Sequence, residues 1–240
     1  MPVATPEVVS ISGVRFAWPG RDGFRLNIDD FTLHRGERVL LTGASGGGKS
    51  TFLSLLAGIA TPQAGSISIL GTDIAAMRGA ARDRFRAERF GIIFQMLNLL
   101  PYGSALDNVL LPLSFSAERR RRASAKGSAE AEAARLLAIL GIEPALMRGA
   151  SAARLSVGQQ QRIAAARALI GAPQIIIADE PTSALDRNRQ GAFLDLLFAV
   201  VAEAGATLIM VSHDESLGPR FDRVVPLESV ARIGRGEAGR

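Results

Sequence analysis

At 240 residues, 48% of them hydrophobic and 21% charged, the chain is large enough to bury a core as one domain, or as one domain with a subdomain. It has no cysteine, which excludes disulfides and thiolate metal sites and fits a reducing cytoplasm, and no apolar run near the ~18 residues a membrane-spanning helix needs. The net charge of +5 would suit nucleic acid or an acidic membrane, but all but two of the 28 basic residues are arginines scattered along the chain, which reads as an arginine-favouring genome rather than a binding face.

The opening residues lack a basic segment followed by an apolar one, so no secretory signal is predicted. Val9–Phe16 alternates apolar and polar residues, and Leu26–Leu33 does so more loosely; both are predicted strands, with turn signals at Trp18-Pro-Gly and Arg21-Asp-Gly between them. Arg38–Thr42 is a short apolar run that leads straight into Gly43-Ala-Ser-Gly-Gly-Gly-Lys-Ser-Thr51, and Phe52–Ile59 follows with helical spacing. Ser66–Leu70 and Gly91–Phe94 are further strands. From residue 98 to 170 β-branched residues are sparse, and a mostly helical insertion is predicted. Its helices include Ala105–Leu113, broken at Pro112, and Ala129–Leu140, ended by Gly141. Within it Glu118-Arg-Arg-Arg-Arg122 is the one dense charge cluster, read as a solvated helix face, with contact to anionic lipid or a partner as the alternative. Gln174–Ala178 has the composition of a buried strand, Arg189–Ala204 that of a helix, and Thr207–Val211 that of another strand. Arg223–Leu227 is a last strand, placed at an edge by Pro226, before a polar tail at Gly234–Arg240. Helices alternating with apolar strands predict an α/β fold with a largely parallel sheet.

Gly43, Gly48, Lys49 and Ser50 match a phosphate-binding loop between a strand and a helix. In such a loop the backbone N–H groups of Gly43, Ala44, Ser45, Gly46, Gly47, Gly48, Lys49, Ser50 and Thr51 surround phosphate oxygens, Lys49 reaches the β- and γ-phosphates, and the Ser50 hydroxyl ligates Mg²⁺. A lysine kept here in so arginine-rich a chain agrees, because an ammonium fits inside the loop and a forked guanidinium does not. Ile175-Ile-Ile-Ala-Asp179-Glu180 ends a buried strand in two carboxylates, Asp179 placed to hold Mg²⁺ and Glu180 to polarise an attacking water. Leu155-Ser-Val-Gly-Gln-Gln-Gln-Arg162 opens a second helix, where Ser156 and Gly158 combine a hydroxyl, backbone N–H groups and a positive helix end into another anion site. His213, after a strand, is a contact for the γ-phosphate, whereas His34 reads as a structural hydrogen-bonder. Gln95, also after a strand, can offer its amide oxygen to Mg²⁺ or to the attacking water. Trp18 either stacks on an adenine or packs in the turn.

The series Gly43–Thr51, Gln95, Leu155–Arg162, Ile175–Glu180, Ser183-Ala-Leu-Asp186 and His213 resembles the nucleotide-binding domain of ATP-binding cassette (ABC) transporters over roughly residues 8–228. The resemblance implies a P-loop NTPase cassette with an N-terminal antiparallel β subdomain, a mostly parallel core sheet and an α-helical subdomain. It implies one domain over 1–240: a nucleotide-binding core at 8–97 and 171–228, a helical subdomain at 98–170 and a tail at 229–240. By the same resemblance the motifs take the Walker A, Q-loop, signature, Walker B, D-loop (Asp186) and H-switch roles, with ATP and Mg²⁺ as cofactors. Lys49, Gln95, Glu180 and His213 are then catalytic, and Ser50, Gln95 and Asp179 hold the metal. Two cassettes pair head to tail in this family, so Ser156, Gly158 and Gln159 would contact the ATP of a second copy. Ala-Asp-Glu-Pro-Thr-Ser-Ala-Leu-Asp and Phe94-Gln-Met-Leu-Asn-Leu-Leu-Pro are similar to the lipoprotein-releasing (LolD-type), macrolide-exporter (MacB-type) and cell-division (FtsE-type) group. This implies a cytoplasmic ATPase held at the inner face of the membrane by permease subunits, with no specific nucleic acid. The alternatives are an FtsE-like regulatory ATPase and a non-transport ABC ATPase acting on nucleic acid or ribosomes. Two positions depart from the family pattern: Val157 stands where glycine is usual, and Trp18 where tyrosine is common, keeping a stacking ring but losing the hydroxyl.

Overall fold

A computed structural model describes residues 5–19 and 24–234. Residues 20–23 of the turn read at 18–23, and residues 235–240 of the polar tail, lie outside the described residues. In chain order the elements are β1 (Glu7–Ala17), β2 (Arg25–His34), β3 (Arg38–Thr42), α1 (Lys49–Leu56), β4 (Ala64–Ile69), β5 (Thr72–Asp73), α2 (Gly79–Arg89) and β6 (Phe90–Ile93). Then follow α3 (Ala105–Leu110), α4 (Ala117–Ala123), α5 (Ala129–Ile139), α6 (Pro144–Gly149), α7 (Val157–Leu169), β7 (Ile175–Asp179), α8 (Arg187–Glu203), β8 (Thr207–Val211), β9 (Arg223–Pro226), α9 (Leu227–Val230) and β10 (Ala231–Gly234). The chain forms two compact units, Met1–Arg86 with Ile209–Arg240, and Ala87–Leu208.

In the first unit the alternation of β1 turns Val9, Ile11, Val14 and Phe16 inward, and an antiparallel sheet of order β10-β2-β1-β4-β5 grows around it. Val9 faces Leu33 on one side and Ile69 on the other, so three apolar side chains line one face of the sheet. β10 pairs with β2, Ala231 opposite Ile28, a strand that four residues beside a polar tail did not announce. β3 is buried along Val39, Leu40 and Leu41, and pairs in parallel with β9. Pro226 ends β9 at the sheet edge, where its missing N–H costs no ladder bond. Asp222 clamps this pair, accepting from the backbone N–H of Arg38 at 2.8 Å and from its guanidinium at 2.6 and 3.1 Å. Helix α1 starts at Lys49, three residues before the apolar pattern predicted, because the phosphate-loop residues are themselves its first turn. Phe52 anchors that helix, packing edge-on against Phe31 at 5.1 Å.

In the second unit β6 and β7 are parallel, and Thr207 at the start of β8 donates to the carbonyl of Gln174 at 2.9 Å. Ile175, Ile176 and Ile177 are almost fully buried, each contributing about 1.5–3 kcal/mol. Helices α3 to α7 follow β6 as the composition predicted, with Pro112 diverting the end of α3 into a 3-10 turn. Helix α7 is the hub. Ala164, Ala165 and Ala166 are fully buried, and the helix lies so close to β6 that a Cβ on Gly91 would sit 2.1 Å from the Ala168 carbonyl oxygen. Only glycine fits there.

The solvated face expected for Glu118–Arg122 is not what forms. Arg119 is 3% exposed. Its Nε donates to the Ile170 carbonyl at 2.8 Å, one terminal nitrogen to Phe90 at 3.0 Å, and the other to Ala168 at 2.9 Å and again to Ile170. Arg122 reaches the carbonyls of Gly171 and Glu88, and Arg120 that of Leu113. Only Arg121 points mainly to water, paired with Glu118. The guanidiniums of Arg119 and Arg122 cap the carbonyl end of α7, where the helix dipole favours cations.

Candidate functional site

In the first unit the chain leaves β3 at Thr42 and turns through Gly43–Gly48 into α1. The turn closes with the Gly47 N–H on the Ala44 carbonyl at 3.0 Å. Gly48 is the N-cap at φ 83, with no side chain to cap the first turn. A Cβ there would press on Phe24, Leu26 and Ile233 at 3.3 to 3.6 Å, so both the backbone angle and the close packing demand glycine. Lys49 is buried, and its ammonium donates to the Gly43 and Ala44 carbonyls at 2.8 and 2.9 Å. The lysine is thereby folded back over the loop it follows, holding its charge at the helix N-terminus. Ser50 and Thr51 complete the first turn, and Thr51 accepts a hydrogen bond from the Trp18 indole at 3.1 Å. His213 lies just past β8; the preceding residue, Ser212, donates through its N–H to Leu41 of β3 at 3.2 Å, so His213 and the loop leave neighbouring strand ends. His34 is a structural hydrogen-bonder as predicted, its Nδ1 3.2 Å from the Thr5 carbonyl.

The second unit carries the other residues singled out by sequence. Asp179 ends β7, and Glu180 follows in a left-handed conformation at φ 45, an arrangement that costs a non-glycine residue roughly 1–2 kcal/mol. Ser183 stabilises that turn by donating its N–H and hydroxyl to the Glu180 carbonyl at 3.3 and 3.1 Å. Asp186 caps α8 by accepting from the Arg189 N–H at 3.0 Å. Ser156 and Gln159 form a reciprocal capping box at the start of α7: the Ser156 N–H donates to Gln159 Oε1 at 2.9 Å and the Gln159 N–H to Ser156 Oγ at 3.3 Å. The Ser156 hydroxyl proton and the Gln159 amide N–H groups are not used by that box. Gly158, in the first turn, has an ordinary φ, and a Cβ on it would find nothing nearer than Leu185 at 3.8 Å. Nothing among the described residues of its own chain requires glycine there. Val157 is half exposed beside it.

The family model described as "ABC transporter" matches residues 26–183. The chain belongs to the ABC transporter family. The lipoprotein-releasing system ATP-binding protein LolD 1 of Caulobacter vibrioides is 41% identical over 198 residues, 82% of this chain and 82% of its own. The pyoverdine export ATP-binding/permease protein PvdT of Pseudomonas syringae pv. tomato is 37% identical over 92% of this chain, which spans 33% of that longer protein. Among solved structures, the dimeric post-hydrolysis state of the ATP-binding cassette MJ0796 bound to ADP and Pi superposes with a TM-score of 0.72 at 30% identity, covering 90% of this chain and 92% of that one. The chain is thus a LolD-like ATP-binding subunit of an ABC transporter, and an ATPase.

Two arginines, Arg167, which sequence reading passed over, and Arg119, which it read as solvated, hold the Gln95 segment of this cassette. Gln95 is exposed in a tight turn after β6, and beyond Met96 the residues Leu97 and Asn98 are both left-handed at φ 56 and 48. Arg167 of α7, largely buried, holds that turn by donating to the carbonyls of Leu97 and, at 2.6 Å, Asn98. Burial holds its guanidinium below the usual value. Arg119 ties the other end of the same segment, Phe90, to the last carbonyls of α7. An acceptor that is a backbone carbonyl has no residue signature, so neither contact was legible in the amino-acid order.

Proposed function

We propose that the cassette hydrolyses MgATP in a head-to-tail dimer and powers a separate membrane permease of the lipoprotein-release or macrolide-export type. The observation that carries the nucleotide part is the uncapped first turn of α1, with Lys49 folded onto the Gly43 and Ala44 carbonyls: N–H dipoles and one ammonium converge on a single anion position. The donors Ser50, Asp179 and Gln95 are all hard oxygens, the set that Mg²⁺ takes alongside phosphate. Bound there, the ion would neutralise charge on the β- and γ-phosphates. In this reading Glu180 would polarise the attacking water and accept its proton, Gln95 and His213 would be further contacts to water and γ-phosphate, and Lys49 would balance the charge that develops on the phosphate oxygens. Trp18 offers its ring to the adenine.

The dimer part rests on Gly158, whose lack of side chain serves no contact among the described residues of its own chain and fits close approach of another. Ser156 of the partner subunit would donate its hydroxyl proton to the γ-phosphate, beside Gly158 and Gln159 at the same helix end, while Asp186 lines the seam. A permease partner is supported by the relatives named above. Among the described residues no helix is long and apolar enough to cross a membrane, so attachment to the inner membrane face would come through that permease. The decisive variant is Glu180→Gln, which removes the base and keeps shape and hydrogen bonding. Turnover is expected to fall about 10²–10⁴-fold while ATP still binds and the chain elutes as a dimer in its presence. A monomer with parental turnover would refute the assignment.

A further inference from the structure

Trp18 is fixed from three directions, all within the first unit. Its backbone follows Ala17, whose N–H and carbonyl are both held by the Gln63 side-chain amide, at 2.8 and 2.9 Å. The Gln63 N–H adds a bond to the Arg15 carbonyl at 2.9 Å, so the end of β1 is pinned on both sides of Phe16. The buried Phe16 ring meets the indole edge to face, centroids 5.0 Å apart at 86°. The third tie is the indole Nε1, which donates to Thr51 Oγ1 at 3.1 Å. That hydroxyl belongs to the first turn of α1, directly after Ser50.

An indole N–H can only donate, whereas a threonine hydroxyl accepts through its lone pairs and still has one proton to give. With its oxygen accepting from the Trp18 indole, the Thr51 hydroxyl still has its own hydrogen to give, and a phosphate oxygen held in the loop would be an acceptor for it. We propose that Thr51 is a positioning residue that locks the Trp18 ring for the adenine and, through the chain Trp18 Nε1–H to Thr51 Oγ1–H to phosphate, makes base stacking and phosphate binding support each other. The inference rests on the reading of Trp18 as the adenine platform. It also accounts for the departure from tyrosine at this position: the ring's only polar atom is engaged by the protein, so its faces are what remain for a base.

The test compares the affinity of the full chain for MgATP with that for magnesium tripolyphosphate, which carries the phosphates without the base; calorimetry gives both. The ratio of the two isolates the base contribution. Thr51→Val keeps the side-chain shape without the hydroxyl, and Trp18→Phe keeps a stacking ring without the donor. Each is expected to lower the ratio roughly two- to tenfold, the range of one net hydrogen bond, and the double variant to fall no further than either single one. Thr51→Ser, which keeps the hydroxyl, should restore the parental ratio. Trp18 is the chain's one tryptophan, so its fluorescence anisotropy reports ring mobility directly and should drop in Thr51→Val. A parental ratio in Thr51→Val, or fully additive losses in the double variant, overturns the proposal. If Thr51→Val does not fold, Trp18→Phe decides alone, a parental ratio again overturning it. Trp18→Ala separates the two ideas. A parental ratio there means that Trp18 does not face the base and sinks the platform reading with the proposal, whereas a lowered ratio beside an unaffected Thr51→Val sinks only the role of Thr51.

Discussion

Replacing Arg119 by methionine removes every donor of the guanidinium and keeps most of the apolar stem. Three buried carbonyls, those of Phe90, Ala168 and Ile170, then lose their partner. At about 2 kcal/mol for each buried acceptor left unpaired, the loss is about 6 kcal/mol. Against it stands the cost of burying a charge. Desolvation, with the nearby Arg122 charge second, pushes the Arg119 guanidinium down to about 10, still charged at neutral pH. Relief of that penalty returns about 3 kcal/mol when the charge is deleted. The lost carbonyl bonds win, and Arg119→Met should be destabilised by about 3 kcal/mol, which for a chain of this length lowers Tm by roughly 6–12 °C. Thermal unfolding followed by circular dichroism at neutral pH measures it. Arg121→Met is the internal control, because Arg121 is 75% exposed and should move Tm by less than about 2 °C. If Arg119→Met unfolds within that same margin of the parent, the carbonyl end of α7 does not depend on Arg119 and the reasoning fails.

Gly158→Ala should stabilise the isolated chain by up to ~1 kcal/mol, since alanine is the better helix former and the nearest atom to its Cβ is at an ordinary 3.8 Å, yet ATP turnover should fall. Raised Tm with undiminished turnover would show that no partner packs against this position. The Asp222 carboxyl is held below its ordinary value of 3.8 first by its hydrogen bond to Arg38, with burial opposing. A depressed acid contributes stability that is present above the unfolded value and lost as pH falls through the folded one. Asp222→Asn should therefore sit below the parent in Tm at pH 7, by no more than ~1 kcal/mol for so exposed a pair, and the gap should narrow as pH is taken below 3.8. A gap that persists in acid would mean that the clamp between β3 and β9 does not rest on the carboxylate charge.

What could be read from sequence and what could not divide along one physical line. β3 and β8 were predicted to the residue, because a fully buried strand is a local run of apolar side chains between polar ends. The phosphate loop, the carboxylate pair after β7 and the start of α7 were legible because backbone geometry there requires particular residues within a few positions: glycine at 48, a serine cap at 156. Helix α2 was not legible. It has no buried residue, and its charged side chains outnumber its apolar ones, so it does not stand out as a core-facing element. β10 exists because β2 offers it an open edge, a fact of tertiary pairing rather than of its own four residues. The four arginines at 119–122 misled for the same reason in reverse. A run of charge next to a single acid implies water, unless carbonyl oxygens from the end of another helix, some 50 positions along, stand ready to take its protons. Trp18 and Thr51, 33 residues apart, belong with them: each was singled out for its own motif, and only the fold shows that one orients the other. Residues that make a site recognisable are thus local, while those that hold it in shape are distant and engage the backbone. Variants that tune turnover without abolishing it are accordingly to be sought at Arg119 and Arg167 rather than inside the motifs.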